Sequence, residues 1–529
     1  MYKVLIADSL GEAGVDIFRQ AENIHTDVIT GLKPEELKKI IGEYDGLVIR
    51  SATNVTEDIL EAAVNLKVIG RAGIGLDNVD LPGATKRGII AMNTPTGNVV
   101  TTAEHAIAMM MSLTRNIPPA TASMKAGQWE KKKFQGRELY NKVFGLVGYG
   151  KIGSVVADRA RGLKMNVLIY DPFVVPEAIE KAGFESVTLE ELYQRADYIS
   201  VHVPKMKDTV GMINKEAIAK MKDGVMLINC ARGGIINEKD LYDAIVSGKV
   251  AGAALDVFEI EPPTDNPLLT LEQVVCTPHL GASTYEAQTN VGIGIAEQII
   301  DYFTTGTIIN AVNAPSISGE LLAKIGPLVI LGEKIGNLLS QLCTCAAKEI
   351  AVEYCGDFES VGKDLSPVTT AVIKGFLEKV VSNTVNFVNA QSTAVARGIK
   401  ITESASADAG VYINQIKVTV VTECETHQVW GTIFGRTDPR ILHIDDFRLE
   451  LRPEGRFLLI NNVNQPGAIG NIGTTLGNNG INISRMHVGQ EENGSKTMIV
   501  VRTDSPVPDD IIAILKEHAG ILDVTPFEL

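Results

Sequence analysis

No two cysteines of the chain stand in a CxxC pair, and no histidine sits at metal-ligand spacing from the Cys343, Cys345 and Cys355 group. That argues against a structural zinc site and a thioredoxin-like redox motif, and no metal is expected. Cys343, Cys345 and Cys355 lie close together in sequence and read, with Cys230, Cys276 and Cys424, as buried reduced thiols. Basic residues are in deficit: Lys and Arg number 49 against 64 Asp and Glu, a net charge of −15, so no general nucleic-acid-binding face is expected. Long apolar runs are missing too; Ile330 and Leu331 are soon followed by Glu333 and Lys334, and no segment reads as a membrane span. The opening Met1-Tyr-Lys-Val-Leu-Ile-Ala-Asp8 reads as a strand ending in an acid with no basic leader, so a cytoplasmic, reduced protein is expected.

What is present is alternation. At 529 residues the chain exceeds what one hydrophobic core covers. Val4–Ala7, Gly46–Ile49, Lys67–Gly70 and Ile89–Met92 read as strands, with helical periodicity over Pro34–Ile41 and Thr56–Val64. A helix packed with Ala and Met follows at Thr101–Leu113, behind a threonine cap. A second series begins at Val143–Val147 and continues through Val167–Tyr170, Tyr198–His202, Val225–Asn229, Gly252–Leu255 and Val274–Cys276. Strand–helix alternation of this kind predicts an α/β fold of two doubly wound parallel sheets. A long helix from Tyr285 to about Phe303 ends at Gly306, and Asn310–Pro315 reads as a linker. Beyond it lies a mixed region with β-rich stretches such as Ile416–Val421, and from Arg456 a strand-helix-strand-strand-helix-strand unit, giving two further α+β domains.

Gly148-Tyr-Gly150-Lys151-Ile152-Gly153 follows a strand and opens a helix, and Asp171 ends the next strand. Gly148 allows the tight turn, Gly150 lets backbone approach a pyrophosphate, Gly153 allows close helix–strand packing, and the helix N-terminus favours the negative charge. A carboxylate at 171 accepts from ribose hydroxyls and repels a 2′-phosphate, which favours NAD over NADP. Three later segments end strands where open α/β sheets place their ligands, and they carry Arg232, Glu261 and His279. Reducing a 2-keto acid needs a cation for the carboxylate and a proton donor for the carbonyl. Arg232 suits the first and His279 the second, with Glu261 bracing the imidazole and raising its pKa. Taken singly, an Arg before Gly-Gly, a His after Pro and a Glu before Pro-Pro are each ordinary loop residues; together, behind a dinucleotide loop, they point to chemistry.

The chain resembles the D-isomer-specific 2-hydroxyacid dehydrogenases, and within them the long form that acts on D-3-phosphoglycerate. The likeness rests on Arg71-Ala-Gly-Ile-Gly-Leu-Asp-Asn-Val-Asp80, Asn93-Thr-Pro-Thr-Gly-Asn-Val-Val100, the glycine loop, Asn229-Cys-Ala-Arg-Gly-Gly234, Ala254-Leu-Asp-Val-Phe258 and Pro278-His-Leu-Gly-Ala-Ser283. It implies a substrate domain at 1–97 and 286–312, an NAD domain at 98–285, an intervening domain at 313–453 and an ACT regulatory domain at 454–529. By resemblance Arg232, Glu261 and His279 are catalytic, and Arg50, Ser51, Arg71, Gly73 and Asn98 hold substrate. Ile74, Val203, Pro204, Cys230, Ala231, Asp256, Gly281 and Ala282 join the glycine loop around NAD, with Asp256 near the nicotinamide amide. Ile74 stands where the family often has Thr or Val, so a hydroxyl contact is lost. Arg50 and Arg71 favour a phosphorylated substrate, and Lys131–Lys133 after Trp129 is either further positive charge or a solvated turn. Leu458–Gly470 and Gly480–Ser484 resemble an ACT domain; Asn462, Asn464, Gly467 and Asn482 are the candidate regulatory residues, with L-serine as ligand and a homodimer or homotetramer as the assembly. Alternatives are a glyoxylate/hydroxypyruvate or D-lactate reductase, disfavoured by the two arginines and the tail, and an NAD-sensing interaction protein, disfavoured by the intact Arg/Glu/His set.

Overall fold

The computed structural model describes the chain except residues 316–318, 359–363, 382–383 and 491–495, with the side chains of 319, 320, 322 and 490 also left aside. The first sheet is parallel: Tyr2–Ile6, Ile24–Val28, Gly46–Ile49, Val68–Arg71 and Ile90–Asn93, in spatial order second, first, third, fourth, fifth. Apart from the edge strand Ile24–Val28, which is polar and partly exposed, its strands are apolar on both faces because helices cover both, and Val4, Ile6, Leu47, Ile49, Val68 and Ile69 are buried. The second sheet is also parallel and runs Val274–Cys276, Val250–Leu255, Val225–Asn229, Tyr198–Val201, Val143–Val147, Asn166–Tyr170, Glu185–Ser186 across its width. Strand order reverses between Val143–Val147 and Tyr198–Val201, the crevice where such sheets take ligands.

Two helices join the halves. Val99–Thr114 buries Ala103, Ala106, Met109, Met110 and Leu113 against the second sheet. It begins at Val99, two residues ahead of the expected threonine start, and its N-cap Asn98 makes no side-chain capping bond. Tyr285–Thr305, stopped by Gly306 at φ 74°, buries Val291, Ile295, Ala296 and Ile299 in the core of the first sheet, so the chain returns to where it began. The following segment is not a free linker. Asn313 accepts from the Ala91 amide (2.8 Å) and donates to the Ile89 carbonyl (2.9 Å) and Thr85 Oγ1 (3.0 Å), which docks it on the edge strand of the first sheet.

A mixed sheet follows, in order Lys400–Ser406, Ala347–Gly356, Asn414–Thr422, Thr426–Phe434, Asp438–Ile444, Phe447–Leu451, with the helices Gly319–Leu342 and Ser366–Glu378 on one face. The expectation of reduced thiols fails here: Cys345 and Cys424 form a disulfide. Antiparallel pairing sets Ala347 opposite Thr422, which brings two cysteines 79 residues apart to a Cα separation of 6.2 Å. The other four are free, and Cys276 is exposed rather than buried.

The last sheet is antiparallel, in order Ile483–Gln490, Lys496–Thr503, Arg456–Val463, Ile521–Glu528. One face packs under the helices Ala468–Asn478 and Asp509–Glu517. The other contributes Phe457, Leu459, Met498, Val500 and Phe527 to the core of the preceding mixed sheet, so those two units share one hydrophobic interior. No helix among the described residues is long and apolar enough to cross a membrane.

Candidate active site

The carboxyl ends of the two parallel sheets face each other, and side chains from both meet between them. From the second sheet, the loop after Val225–Asn229 carries Arg232. The Asn229 side chain fixes it by donating to the Arg232 carbonyl (2.9 Å) and accepting from the Ala231 amide (3.0 Å). Arg232 Nε reaches across to Asp77 Oδ2 of the first-sheet loop at 2.9 Å. The guanidinium lies directly over Gly75, where a Cβ would fall 2.0 Å from Nη2.

Two more arginines border the same space. Arg71 ends the fourth strand of the first sheet and Arg50 follows the third. Burial and the positive charge of Arg232 and Arg50 lower the pKa of Arg71 to about 10, although Asp77 and Asp8 oppose the shift. Its Nε is buried without a partner. Asp8 accepts from the Arg50 amide (2.6 Å) and from Thr53 Oγ1 (2.7 Å), tying the Arg50 loop to the first strand. Three like charges gathered with an unmade hydrogen bond form a seat for an anion.

His279 enters from the loop after Val274–Cys276. Its Nδ1 lies 2.7 Å from Glu261 Oε2, while Glu261 Oε1 accepts from the Phe258 amide at 3.0 Å. The Glu261 hydrogen bond lifts the His279 pKa above the ordinary imidazole value against partial burial. Burial opposes charge on Glu261, but hydrogen bonds from His279 and Phe258 hold its pKa below the usual carboxylate range. The ring is aimed by a strained backbone: His279 has φ 52°, a left-handed conformation costly for a non-glycine residue.

Asp256 holds that conformation. Its carbonyl accepts from the His279 amide (2.9 Å), Oδ1 from the Leu280 amide (2.7 Å) and Oδ2 from the Gly281 amide (2.8 Å). Burial disfavours the charge of this carboxyl, yet hydrogen bonds from His105, Thr277 and Leu280 outweigh it and keep the pKa low. Asp256 thus sits at the expected loop, with most of its hydrogen-bonding capacity turned inward.

The dinucleotide loop is built as its spacing requires. Gly148 adopts φ 96°, and a Cβ at Gly153 would stand 2.1 Å from the Gly148 carbonyl oxygen. At Gly150, which caps the helix Lys151–Gly162 without a side chain, a Cβ would meet nothing within 4 Å. A helix N-terminus open to a side-chain-free space suits a pyrophosphate. Asp171 accepts from the Tyr149 and Phe173 amides (2.7 and 2.8 Å), which fixes its carboxylate beside the loop. Val203 and Pro204 follow the Tyr198–Val201 strand, Val203 within reach of Gly148. Cys230 is buried, its thiol pushed up by desolvation; Ala231 precedes Arg232, and Ala282 follows the buried Gly281. Ile74 offers its carbonyl to Asn93 Nδ2.

Of the other expected substrate residues, Gly73 has φ 153° and lies under the Arg71 guanidinium. Asn98 is buried with Oδ1 unpartnered, and Ser51 is exposed. Lys133 pairs with Glu272 at 3.1 Å on the surface. Sequence reasoning missed Asp77, which lies within the Arg71–Asp80 segment and contacts Arg232, and His105, which contacts Asp256 from a helix that carries no catalytic motif.

The regulatory candidates do not share one place. Asn464 and Gly467 lie at the turn after Arg456–Val463, Gly467 with φ 96° and open space around it. Asn482 precedes Ile483–Gln490 and bonds Asp504. Pairing sets Ile483 opposite Thr503 and Thr503 opposite Arg456, so Asn482 stands at the end of the sheet where the 456 strand begins. Asn464 stands at its far end, about 25 Å away at 3.3 Å per strand residue. Asn462 is buried and satisfied, donating to the Val463 carbonyl and accepting from Thr497 (both 2.9 Å).

Family models match three stretches: the D-isomer specific 2-hydroxyacid dehydrogenase NAD binding domain at 107–281, the D-3-phosphoglycerate dehydrogenase intervening domain at 324–445, and the ACT domain at 456–520. Curated proteins named D-3-phosphoglycerate dehydrogenase match end to end. The one from Archaeoglobus fulgidus is 43% identical over 100% of both chains. That from Bacillus subtilis is 40% identical over 100% of this chain and 99% of its own. Among solved structures, a D-lactate dehydrogenase from Aquifex aeolicus complexed with NAD and lactic acid covers 59% of this chain and 100% of its own, with TM-score 0.53 and 29% identity. A glyoxylate reductase from Paecilomyes thermophila covers 59% of this chain and 98% of its own, with TM-score 0.55 and 28% identity.

Proposed function

Because the chain belongs to the D-3-phosphoglycerate dehydrogenase family, we propose that it oxidises D-3-phosphoglycerate to 3-phosphohydroxypyruvate in the cleft between its two parallel sheets. The observation that carries this reading is the three-arginine seat beside the His279–Glu261 pair. A 2-hydroxy acid bearing a second anionic group needs more than one cation, and an acidic chain has gathered three at one point.

Bound NAD supplies the hydride acceptor. Arg232 has Nη2 directed at Gly75 and holds the substrate carboxylate, while Arg71 and Arg50 take the phosphate. Neutral His279 accepts the hydroxyl proton at Nε2, since Nδ1 is engaged with Glu261, and Glu261 stabilises the imidazolium that results. In the reverse direction the same imidazolium returns the proton to the carbonyl oxygen. Gly73, Ser51 and Asn98 line the substrate side. Ile74, Gly148, Gly150, Lys151, Ile152, Gly153, Asp171, Val203, Pro204, Cys230, Ala231, Asp256, Gly281 and Ala282 line the nucleotide side.

The C-terminal domain reads as a serine sensor. Asn464 and Asn482 cannot grip one amino acid within a single sheet, so a two-residue site calls for a second copy of the chain. This supports a homodimer or homotetramer, with Gly467 leaving room for the ligand and Asn462 bracing the strand. The expected compartment is the cytoplasm and the pathway that of serine formation.

Steady-state oxidation of D-3-phosphoglycerate, D-lactate and D-glycerate at equal concentrations tests the assignment. It expects the phosphorylated acid to lead by at least about tenfold in kcat/KM, the contribution of one charge-assisted hydrogen bond. A preference for either unphosphorylated acid overturns it.

A further inference from the structure

The helix Val99–Thr114 packs an otherwise apolar face on the second sheet, yet from it His105 reaches the loop that aims His279. His105 Nε2 lies 3.1 Å from Thr277 Oγ1 and 3.2 Å from Asp256 Oδ1. Thr277 Oγ1 is 2.6 Å from the same Asp256 oxygen and 3.6 Å from the thioether sulfur, Met109 Sδ. A hydroxyl has one proton, and the short contact to an ionised carboxylate takes it in preference to a thioether. What remains on Thr277 Oγ1 is lone pairs, and Asp256 Oδ1 is an acceptor only. The imidazole Nε2 facing both must therefore carry a proton and donate. One turn earlier on the helix, Thr102 Oγ1 donates to the Gly281 carbonyl at 2.9 Å.

We propose that His105 is a positioning residue for the reaction, donating through Nε2–H to the Asp256–Thr277 pair and so fixing the carboxylate that clasps residues 279–281. It touches neither reacting atom. It acts through Asp256, whose backbone carbonyl and two carboxylate oxygens receive three consecutive amides and keep His279 at its left-handed φ of 52°. Without the donor from the helix, Oδ1 keeps only Thr277 and Leu280, the clasp loosens, and His279 leaves the orientation in which Nδ1 meets Glu261. The role is in aiming the base, so the chemical step suffers and ligand binding does not. This rests on reading the cleft as the site of hydride transfer, but not on which 2-hydroxy acid occupies it.

The test uses the full-length chain and three variants, with NAD and D-3-phosphoglycerate. His105→Leu keeps the volume and removes the donor; it is expected to lower kcat about tenfold while KM and the NAD dissociation constant stay within about twofold. Thr277→Val, which removes the hydroxyl that links imidazole and carboxylate, is expected to show the same split. His105→Gln returns an N–H from the same helix position and is expected to recover most of the lost kcat. Two results overturn the proposal: unchanged kcat in His105→Leu, or equal loss of kcat in the Gln and Leu variants. Should His105→Leu fail to fold, unchanged kcat in Thr277→Val, or no activity retained by His105→Gln above that of Thr277→Val, overturns it as well. If the parent enzyme prefers another 2-hydroxy acid, the series is read with that acid; the substrate assignment then fails while the His105 inference stands or falls on the same split.

Discussion

Gly75→Ala separates folding from catalysis in a way few substitutions do. A Cβ at this position would stand 2.0 Å from Arg232 Nη2 and 2.7 Å from Asp77 Oδ2. Ordinary contact begins at 3.4 Å, so the guanidinium must retreat by about 1.4 Å. Both obstructing atoms are tips of flexible side chains, and Gly75 is not among the glycines with positive φ, so the fold accommodates the methyl at little cost. The chemistry does not. A displacement of that size would break the two-point grip on the substrate carboxylate proposed for Arg232, worth about 1.5–3 kcal/mol for a hydrogen-bonded charge, or roughly 10–100-fold in kcat/KM. Thermal unfolding and steady-state kinetics on one preparation decide it: Tm is expected within a few degrees of the parent while kcat/KM falls by that factor. Gly233→Ala is the control in the other direction, because its Cβ would meet the Phe258 backbone oxygen at 1.7 Å, which no side-chain movement relieves. Parental kcat/KM in Gly75→Ala would show that Arg232 does not hold substrate where the structure puts it.

Glu261→Gln removes the main cause of the raised His279 pKa, which then moves down toward the free imidazole value. Oxidation needs the neutral ring, so the acidic limb of its kcat profile is expected to move to lower pH, with the plateau falling at least about tenfold as the ring loses its brace. An unmoved limb would detach Glu261 from the titration. Asn464→Ala is expected to relieve inhibition by serine without altering the uninhibited rate; a parent enzyme indifferent to serine would end the regulatory reading.

Much of this site was legible because its signals are short-range. The Gly148–Gly153 spacing, Asp171 at the end of the next strand, and Arg232, Glu261 and His279 at later strand ends all follow from alternating strands and helices, and the structure brings the last three to one cleft. Helix and strand positions came within a residue or two, as hydrophobic periodicity allows. What stayed hidden depends on long-range closure. Asp77 meets Arg232 from 155 residues away, across two separate sheets. His105 reads as one polar residue on an apolar helix until the fold sets it beside Asp256. Cys345 and Cys424 pair only because two strands between them run antiparallel. Asn310–Pro315 has the composition of a linker, and nothing local announces that Asn313 satisfies three groups on and beside the edge strand of the first sheet. The core shared by the last two units is equally invisible in a strand pattern, since each reads as complete by itself.

The proposed role of Arg71 is in a phosphate seat rather than in a general anion patch. Its direct measurement is kcat/KM of Arg71→Ala for D-3-phosphoglycerate and for unphosphorylated D-glycerate, each relative to the parent. A phosphate seat entails a loss of about 10–100-fold for the phosphorylated acid and a change within about threefold for the other. Equal losses for the two acids would contradict it.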